Sequence, residues 1–454
     1  MKSILLRFRV FTKRCSLRIF LTFINSLQSK KFDFVSNLQM YDFSNSGIFY
    51  KASKVDFGRT YLEWELADRL WRVGEYRKSV EIRKHCLEFL YESEGISDSD
   101  YVPPLLSVSW TSAFGHIGSL GIFSTAQRLG IVSTEKRIVL VRNQNSLDNI
   151  TRVFKDSFVL TPSRYGHSAL EHPSQWHISE RLQMIKSEAG FICLYDLYDR
   201  VFKELDETTV LPQVDIEYSE WARSWLTQLG LPRGSWFASL HIRDNFGEFD
   251  ARSASSDKFS DAVDEVIRLG GWVIQFGTNS TQWIQPRKGL IRLDATVGKH
   301  HDLHLYLLSH SKFLLTTNSG PSVIAWSLGT PVLQTNTTSI ARNLLRASRN
   351  SLFLPKRYTD GRGRELAFRE IAQGRLGYSE SSTKELAKIG IQISENTSTE
   401  ILEATRDIMQ LIEGQESPNK LMERLNIIRS ETSAVGFGEV APSFLLKNSD
   451  WFLN

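Results

Sequence analysis

Between residues 236 and 336, apolar and polar positions fall into short blocks that switch between a period of two and a period near 3.6. Trp236-Phe237-Ala238-Ser239-Leu240-His241-Ile242-Arg243 reads as a strand. It places Trp236, Ala238, Leu240 and Ile242 on one face and His241 and Arg243 on the other, close to its carboxyl end. A polar loop through Asn245, Gly247 and Arg252 leads to a helix over about 257–269, with Phe259, Val263, Val266 and Ile267 inward and Gly270-Gly271 as its stop. Further strands are predicted at 272–276, 290–293, 313–317 and 332–334, with helices at 302–309 and from Pro321. Pro321 suits a first helical position and Gly329 the position just past the end. Strands separated by helices and glycine turns predict a parallel, doubly wound α/β sheet.

Upstream the pattern is less regular. Leu62, Leu66, Leu70 and Val73 recur at helical spacing, Gly74 interrupts, and Val80, Ile82, Leu87 and Leu90 resume. This predicts a helical hairpin over 60–92, whose Trp71–Gly74–Tyr76 run looks like one tetratricopeptide-type unit. A lone unit cannot bury its own face, so it is expected to pack on the body. A strand at 105–110, a glycine loop over 111–121, a helix to about 129 and a strand at 137–141 follow, the opening of a Rossmann-like unit. The glycines at 115, 118 and 121 do not have the G-x-G-x-x-G spacing of a dinucleotide site. A strand is expected at 158–160, an irregular loop at 165–176, and helices at 178–189 and 218–229, the latter ended by Gly230 and Pro232. A helix is expected near 399–412, and the apolar tail 440–454 is expected to dock on the body. The organisation read from this is a basic segment (1–50), a helical hairpin (51–100), two α/β domains (101–230 and 231–390) and a C-terminal helix and tail (391–454).

A length of 454 residues suggests two to three domains, and 41% hydrophobic with 23% charged residues fits a soluble globular protein. Charge is uneven: residues 1–31 hold eight Lys and Arg and no acid, so the other residues sum to −4 against a total of +4. A mildly acidic body argues against a nucleic-acid partner. The basic segment is interleaved with Leu and Phe, and its longest uncharged apolar stretch, 19–27, is too short to cross a bilayer. It reads as a surface helix on an anionic membrane, as a self-packed helix, or as a transit peptide; no small-residue cleavage site follows it. Cys15, Cys86 and Cys193 are far apart and form no zinc-type pattern, which fits a reducing, cytoplasmic compartment. Asp98-Ser99-Asp100 is formally a metal-binding D-x-D but sits in a polar run and reads as loop, so no metal and no cofactor are expected.

In an open α/β sheet ligands bind beyond the carboxyl ends of the strands. Arg243, with His241 beside it, is placed there to meet an anion, and so is the strand–turn–helix junction of Thr317, Asn318, Ser319, Gly320 and Ser322. An arginine and a hydroxyl-lined helix start suit a diphosphate; an ordinary turn with an interior His–Arg pair is the plainer reading. Gly115, His116 and Gly118 would face the same cleft from the first domain, where a loop histidine without chemistry is the plainer reading.

His241-Ile242-Arg243-Asp244 is similar to the His-x-Arg strand end of O-fucosyltransferase-like enzymes, in which the arginine binds the donor's diphosphate. Asn318-Ser319-Gly320 through Gly329-Thr330-Pro331 looks like the donor-phosphate loop and helix of the same group. More closely, residues 107–336 resemble a bacterial family of glycosyltransferases often associated with surface-polysaccharide genes. The resemblance implies two Rossmann-like domains facing a cleft (GT-B-like) with an N-terminal helical extension. It implies a nucleoside-diphosphate sugar as donor and a glycan or lipid-linked acceptor as partner. Arg243 would neutralise the leaving diphosphate, and His116 or Asp244 would be the base. Here the first motif continues Asp244-Asn245-Phe246-Gly247-Glu248 instead of with further basic residues, which departs from a GDP-fucose site. A nucleotide-sugar epimerase or hydrolase on the same fold, and a non-catalytic scaffold using the helical hairpin, are the rival expectations.

Overall fold

Among the described residues, seven parallel strands form one sheet through the C-terminal half in a computed structural model of the chain. The structure describes residues 76–93, 114–132, 138–142, 153–154, 158–162, 184–187, 190–205, 211–243, 247–277, 282–293, 301–338, 351–373, 382–415, 420–431 and 439–453, with isolated positions 63, 66, 67, 70, 209 and 376. Those from residue 65 onward belong to one compact unit, Glu65–Asn454. The expected boundary near residue 230 falls inside that unit, and one buried apolar core runs from Ile117 to Val332 across it.

In chain order the first elements are helices α1 (Tyr76–Ser93) and α2 (Phe114–Arg128) and strands β1 (Ile138–Arg142), β2 (Phe158–Pro162), β3 (Met184–Ser187) and β4 (Gly190–Cys193). Helices α3 (Leu194–Glu204) and α4 (Ile216–Gln228) lead into the sheet. The sheet region holds β5 (Phe237–His241), α5 (Ser260–Arg268), β6 (Trp272–Phe276), β7 (Leu290–Leu293), α6 (His301–His310), β8 (Leu314–Thr317), α7 (Pro321–Ser327), β9 (Val332–Thr337) and β10 (Leu352–Pro355). After it come β11 (Arg357–Thr359), α8 (Phe368–Gln373), α9 (Thr383–Lys388), β12 (Gln392–Ser394), α10 (Ser398–Ile412), α11 (Lys420–Glu431), β13 (Glu439–Val440), α12 (Pro442–Lys447) and α13 (Ser449–Leu453).

The predicted alternation of strands and helices after residue 236 is what the structure contains. Numbered by appearance, the strand order is 3-2-1-4-5-6-7, the Rossmann order with one strand added. Phe237, Ile274, Leu314 and Val332 face one side of the sheet and share a core with α6 and α7. The other side is covered by α5, against β6, and by α10, against β9 and β10. Glu265 of α5 is buried and binds Arg268 at 2.7 Å and Arg406 of α10 at 2.8 Å; hydrogen bonds from both, Arg268 first, hold its carboxyl at about 2. Helix α10 begins with the Thr397–Glu400 capping box, which fixes its start where the periodicity placed it.

Three expectations upstream and in the junction are corrected. The glycine-rich run expected as a loop to residue 121 is helix from Phe114. A Cβ on Gly118 would stand 2.6 Å from Ile324 N and Val323 C, and one on Gly121 would overlap the Ser327 side chain. These glycines let α2 and α7 pack backbone to backbone. Within the helix expected over 178–189, the described residues 184–187 are instead strand β3, antiparallel to β4, with Met184 paired to Cys193 and Ser187 to Gly190. Pairing with a neighbouring strand overrides a local helical preference there. Helix α7, expected to begin at Pro321, is preceded by a Gly320 that already has φ −54 and ψ −38, so the helical turn begins one residue early.

Of the hairpin, α1 is present, Ser79 Oγ donates to the Ala67 carbonyl at 2.5 Å, and α1 packs on β4 as a unit needing outside support should. It buries Ser79, Arg83 and Cys86 and leaves Val80 and Ile82 half-buried. The tail docks as expected: β13 pairs with β10, and Phe444, Trp451 and Phe452 cluster with Phe368. The basic segment 1–31, the D-x-D at 98–100, the strand at 105–110 and the loop at 165–176 lie outside the described residues.

Candidate functional site

The strand order reverses between β5 and β8, so the crevice beyond their carboxyl ends is the topological switch point of the sheet. Both junctions singled out in the sequence end there, side by side: His241 is in register with Thr316. The Arg243 N–H donates to Thr317 Oγ1 at 2.8 Å and ties the two strand ends together. Arg243 is half-buried. His241 Nδ1 lies 2.9 Å from the Ser319 hydroxyl, and its ring lies 5.3 Å from that of Phe276. Burial, and next the nearby Arg243 charge, lower His241 to about 4, so it is neutral at pH 7.

The hydroxyls of the second junction do not line an open cradle. Thr317, Asn318, Ser319 and Ser322 are buried. Ser319 Oγ is 3.3 Å from Thr316 Oγ1, Ser322 Oγ donates to the Ser319 carbonyl at 2.6 Å, and Asn318 Nδ2 donates to the Thr338 carbonyl at 3.2 Å. Pro321 has no N–H, and those of Ser322 and Val323 turn back to the Ser319 and Gly320 carbonyls at 3.3 and 3.0 Å. These N–H groups are therefore engaged in the turn, because Gly320 already has helical angles. What the junction does is hold the Arg243 backbone, through Thr317 Oγ1.

Helix α2 brings the first-half candidates to the same place. Gly118 abuts Val323–Ile324 and Gly121 abuts Ser327, so α2 and α7 run in the same direction. The α7 N-terminus follows directly from the carboxyl end of β8, and the α2 N-terminus with Gly115 and His116 lies at that end too. Gly118 itself is in the helix contact. Asp244 lies outside the described residues.

No protein-family model and no curated protein matches the chain. Among solved structures, it is similar to E. coli ADP-heptose lps heptosyltransferase II at 13% identity, covering 67% of this chain and 98% of that one, with a TM-score of 0.42. A glycosyl transferase family 9 protein from Veillonella parvula DSM 2008 is similar at 13% identity over 52% of this chain and 83% of that one, TM-score 0.34. E. coli heptosyltransferase WaaC with ADP is similar at 12% identity over 51% and 70%, TM-score 0.23.

Sequence reasoning missed three buried polar residues at the neighbouring strand ends. Asn336, at φ 52, and Asn396 exchange bonds: the Asn336 N–H donates to Asn396 Oδ1 at 2.6 Å and the Asn396 N–H to Asn336 Oδ1 at 2.9 Å. Lys356 follows β10 and is buried with its Nζ on the Ser253 carbonyl at 2.7 Å. An asparagine after an apolar run marks a tolerated left-handed position, but only the folded sheet brings 336, 356 and 396 together. Among the described residues no three His, Cys, Asp or Glu side chains group as metal ligands.

Proposed function

We propose that the protein is a glycosyltransferase that moves a sugar from a nucleoside-diphosphate sugar to a glycan or lipid-linked acceptor, in cell-surface polysaccharide synthesis. One observation carries the reading: a half-buried arginine, Arg243, is held by its own backbone at the switch point of a Rossmann-order sheet. Its guanidinium suits a diphosphate through paired, charge-assisted bonds. As the glycosidic bond to the donor breaks, negative charge grows on the leaving diphosphate, and a fixed cation there lowers the barrier. Neutral His241, with Ser319 and Thr317, keeps the arginine's strand end in place. The α2 start, with Gly115 and His116, gives the acceptor side, and His116 or Asp244 takes the acceptor hydroxyl's proton. In this reading Arg243 does the work that a divalent metal does in other transferases. The enzyme works in the cytoplasm, with residues 1–31 resting on the inner face of the membrane; among the described residues no helix is long and apolar enough to cross one.

Titration of the purified protein with UDP, GDP, ADP and CMP, followed by product analysis with and without acceptor, tests the reading. Binding of one nucleoside diphosphate and acceptor-dependent transfer are expected. No binding to any of them overturns it, and free sugar or epimer formed without acceptor shows a hydrolase or epimerase instead.

A further inference from the structure

The loop that leaves Arg243 closes on the residue it came from: the Ala254 N–H returns to the Arg243 carbonyl at 3.4 Å. Three groups from the C-terminal part of the chain hold that loop. Asp250 accepts from the Thr383 N–H at 2.7 Å and from the Thr383 hydroxyl. Glu395 accepts from the Ser255 N–H at 3.0 Å. Lys356 donates to the Ser253 carbonyl at 2.7 Å, adjacent to Ala254. Lys356 is 3% exposed, and its own N–H is fixed to the Thr337 carbonyl of β9 at 2.9 Å. Burying an ammonium group is costly, and a methionine would pack in similar volume. What the lysine adds is the donor on its tip.

We propose that Lys356 is a positioning residue for Arg243: its Nζ latches Ser253 and, through Ala254, fixes the Arg243 carbonyl at the switch point. The proposal rests on the reading of Arg243 as the diphosphate-binding cation. The latch also carries a pH signature. Burial brings Lys356 down from 10.5 to about 8, against the Glu395 and Asp250 carboxylates that pull it back up. Opening the loop returns the lysine to water and to its ordinary value, so opening takes up a proton and closing releases one. Raising the pH from 8 toward 10.5 therefore favours the closed loop, by up to about tenfold per pH unit.

The test compares the full-length wild type with Lys356→Met by amide hydrogen exchange, peptide by peptide, and by titration with the nucleoside diphosphates. The variant is expected to lose protection over 247–256 while β6 and β8 keep theirs, and to bind nucleotide about tenfold more weakly. At matched pH the wild-type-to-variant protection ratio over 247–256 should grow from pH 8 to 9.5. Unchanged loop protection overturns the proposal, as does a loss spread evenly over the sheet, a ratio that stays flat with pH, or loop opening with unchanged nucleotide affinity. Should Lys356→Met not fold, protection of 247–256 relative to β6 in the wild type decides, a rise above pH 8 being expected and a flat ratio overturning the latch. If the wild type binds no nucleoside diphosphate, the functional reading falls, while the exchange measurement still decides the latch.

Discussion

Arg243 concentrates the proposed chemistry in one side chain. Replacing it with alanine is expected to cost about 2–4 kcal/mol of transition-state stabilisation, the range of a lost oxyanion donor. Arg243→Lys should not restore it, since an ammonium lacks the planar two-pronged donor set. Steady-state kinetics on both variants check this; wild-type turnover in either contradicts the assignment. His241 gives a second prediction. Its folded value near 4 lies below its ordinary 6.5, so its contribution to stability is fully present above 6.5 and is lost as pH falls toward 4. Melting temperature should drop more steeply through that window in wild type than in His241→Gln, by up to one proton's worth of slope; equal slopes would mean His241 is not buried neutral. Arg243 and His241 were legible because strand alternation and a carboxyl-end position are local properties. Lys356 was not, since its partner Ser253 is 103 residues away.

The element that sequence pattern misjudged most is α2. Glycines at 115, 118 and 121 signal turns and close ligand approach, which predicts a loop. Two of them serve a helix crossing instead, and nothing in the local pattern distinguishes a glycine that admits a phosphate from one that admits a neighbouring backbone. Gly118→Ala is expected to destabilise the fold by about 1–3 kcal/mol, because the added methyl meets the α7 backbone, which cannot move as a side-chain tip can. Gly130, at φ +72 with nothing within 4 Å of an added Cβ, is the control: Gly130→Ala should cost only what its backbone angle imposes. Denaturant melts of both variants separate steric overlap from backbone strain; a Gly118→Ala variant as stable as wild type would show that the two helices can separate freely. The β3–β4 hairpin was missed for a related reason, its strands being four residues each and fixed by one another.

At the scale of the molecule, two predictions follow from charge. If Arg243 neutralises the diphosphate, transfer should persist in EDTA; complete loss, restored by manganese or magnesium, would assign that work to a metal. Deleting residues 1–31 removes eight positive charges and no negative one, so co-sedimentation with anionic vesicles at low salt should weaken while the melting temperature holds. Unchanged sedimentation would make the segment structural. The α/β class and the parallel sheet were readable because strands, helices and glycine turns alternate cleanly after residue 236. The shared core that runs across residue 230 was not, since it depends on contacts between distant segments. Among the described residues, the sheet's outermost strands are β13, of two residues, and β7, of four. Short borders of this kind offer little template for a second chain to zip onto. That protection is unequal in origin: β13 belongs to the stretch 439–453 that the Phe368 aromatic cluster pins down. Proteolytic loss of this stretch would uncover Leu352 and Phe353 of β10 and turn a self-limiting sheet edge into a nucleus for aggregation.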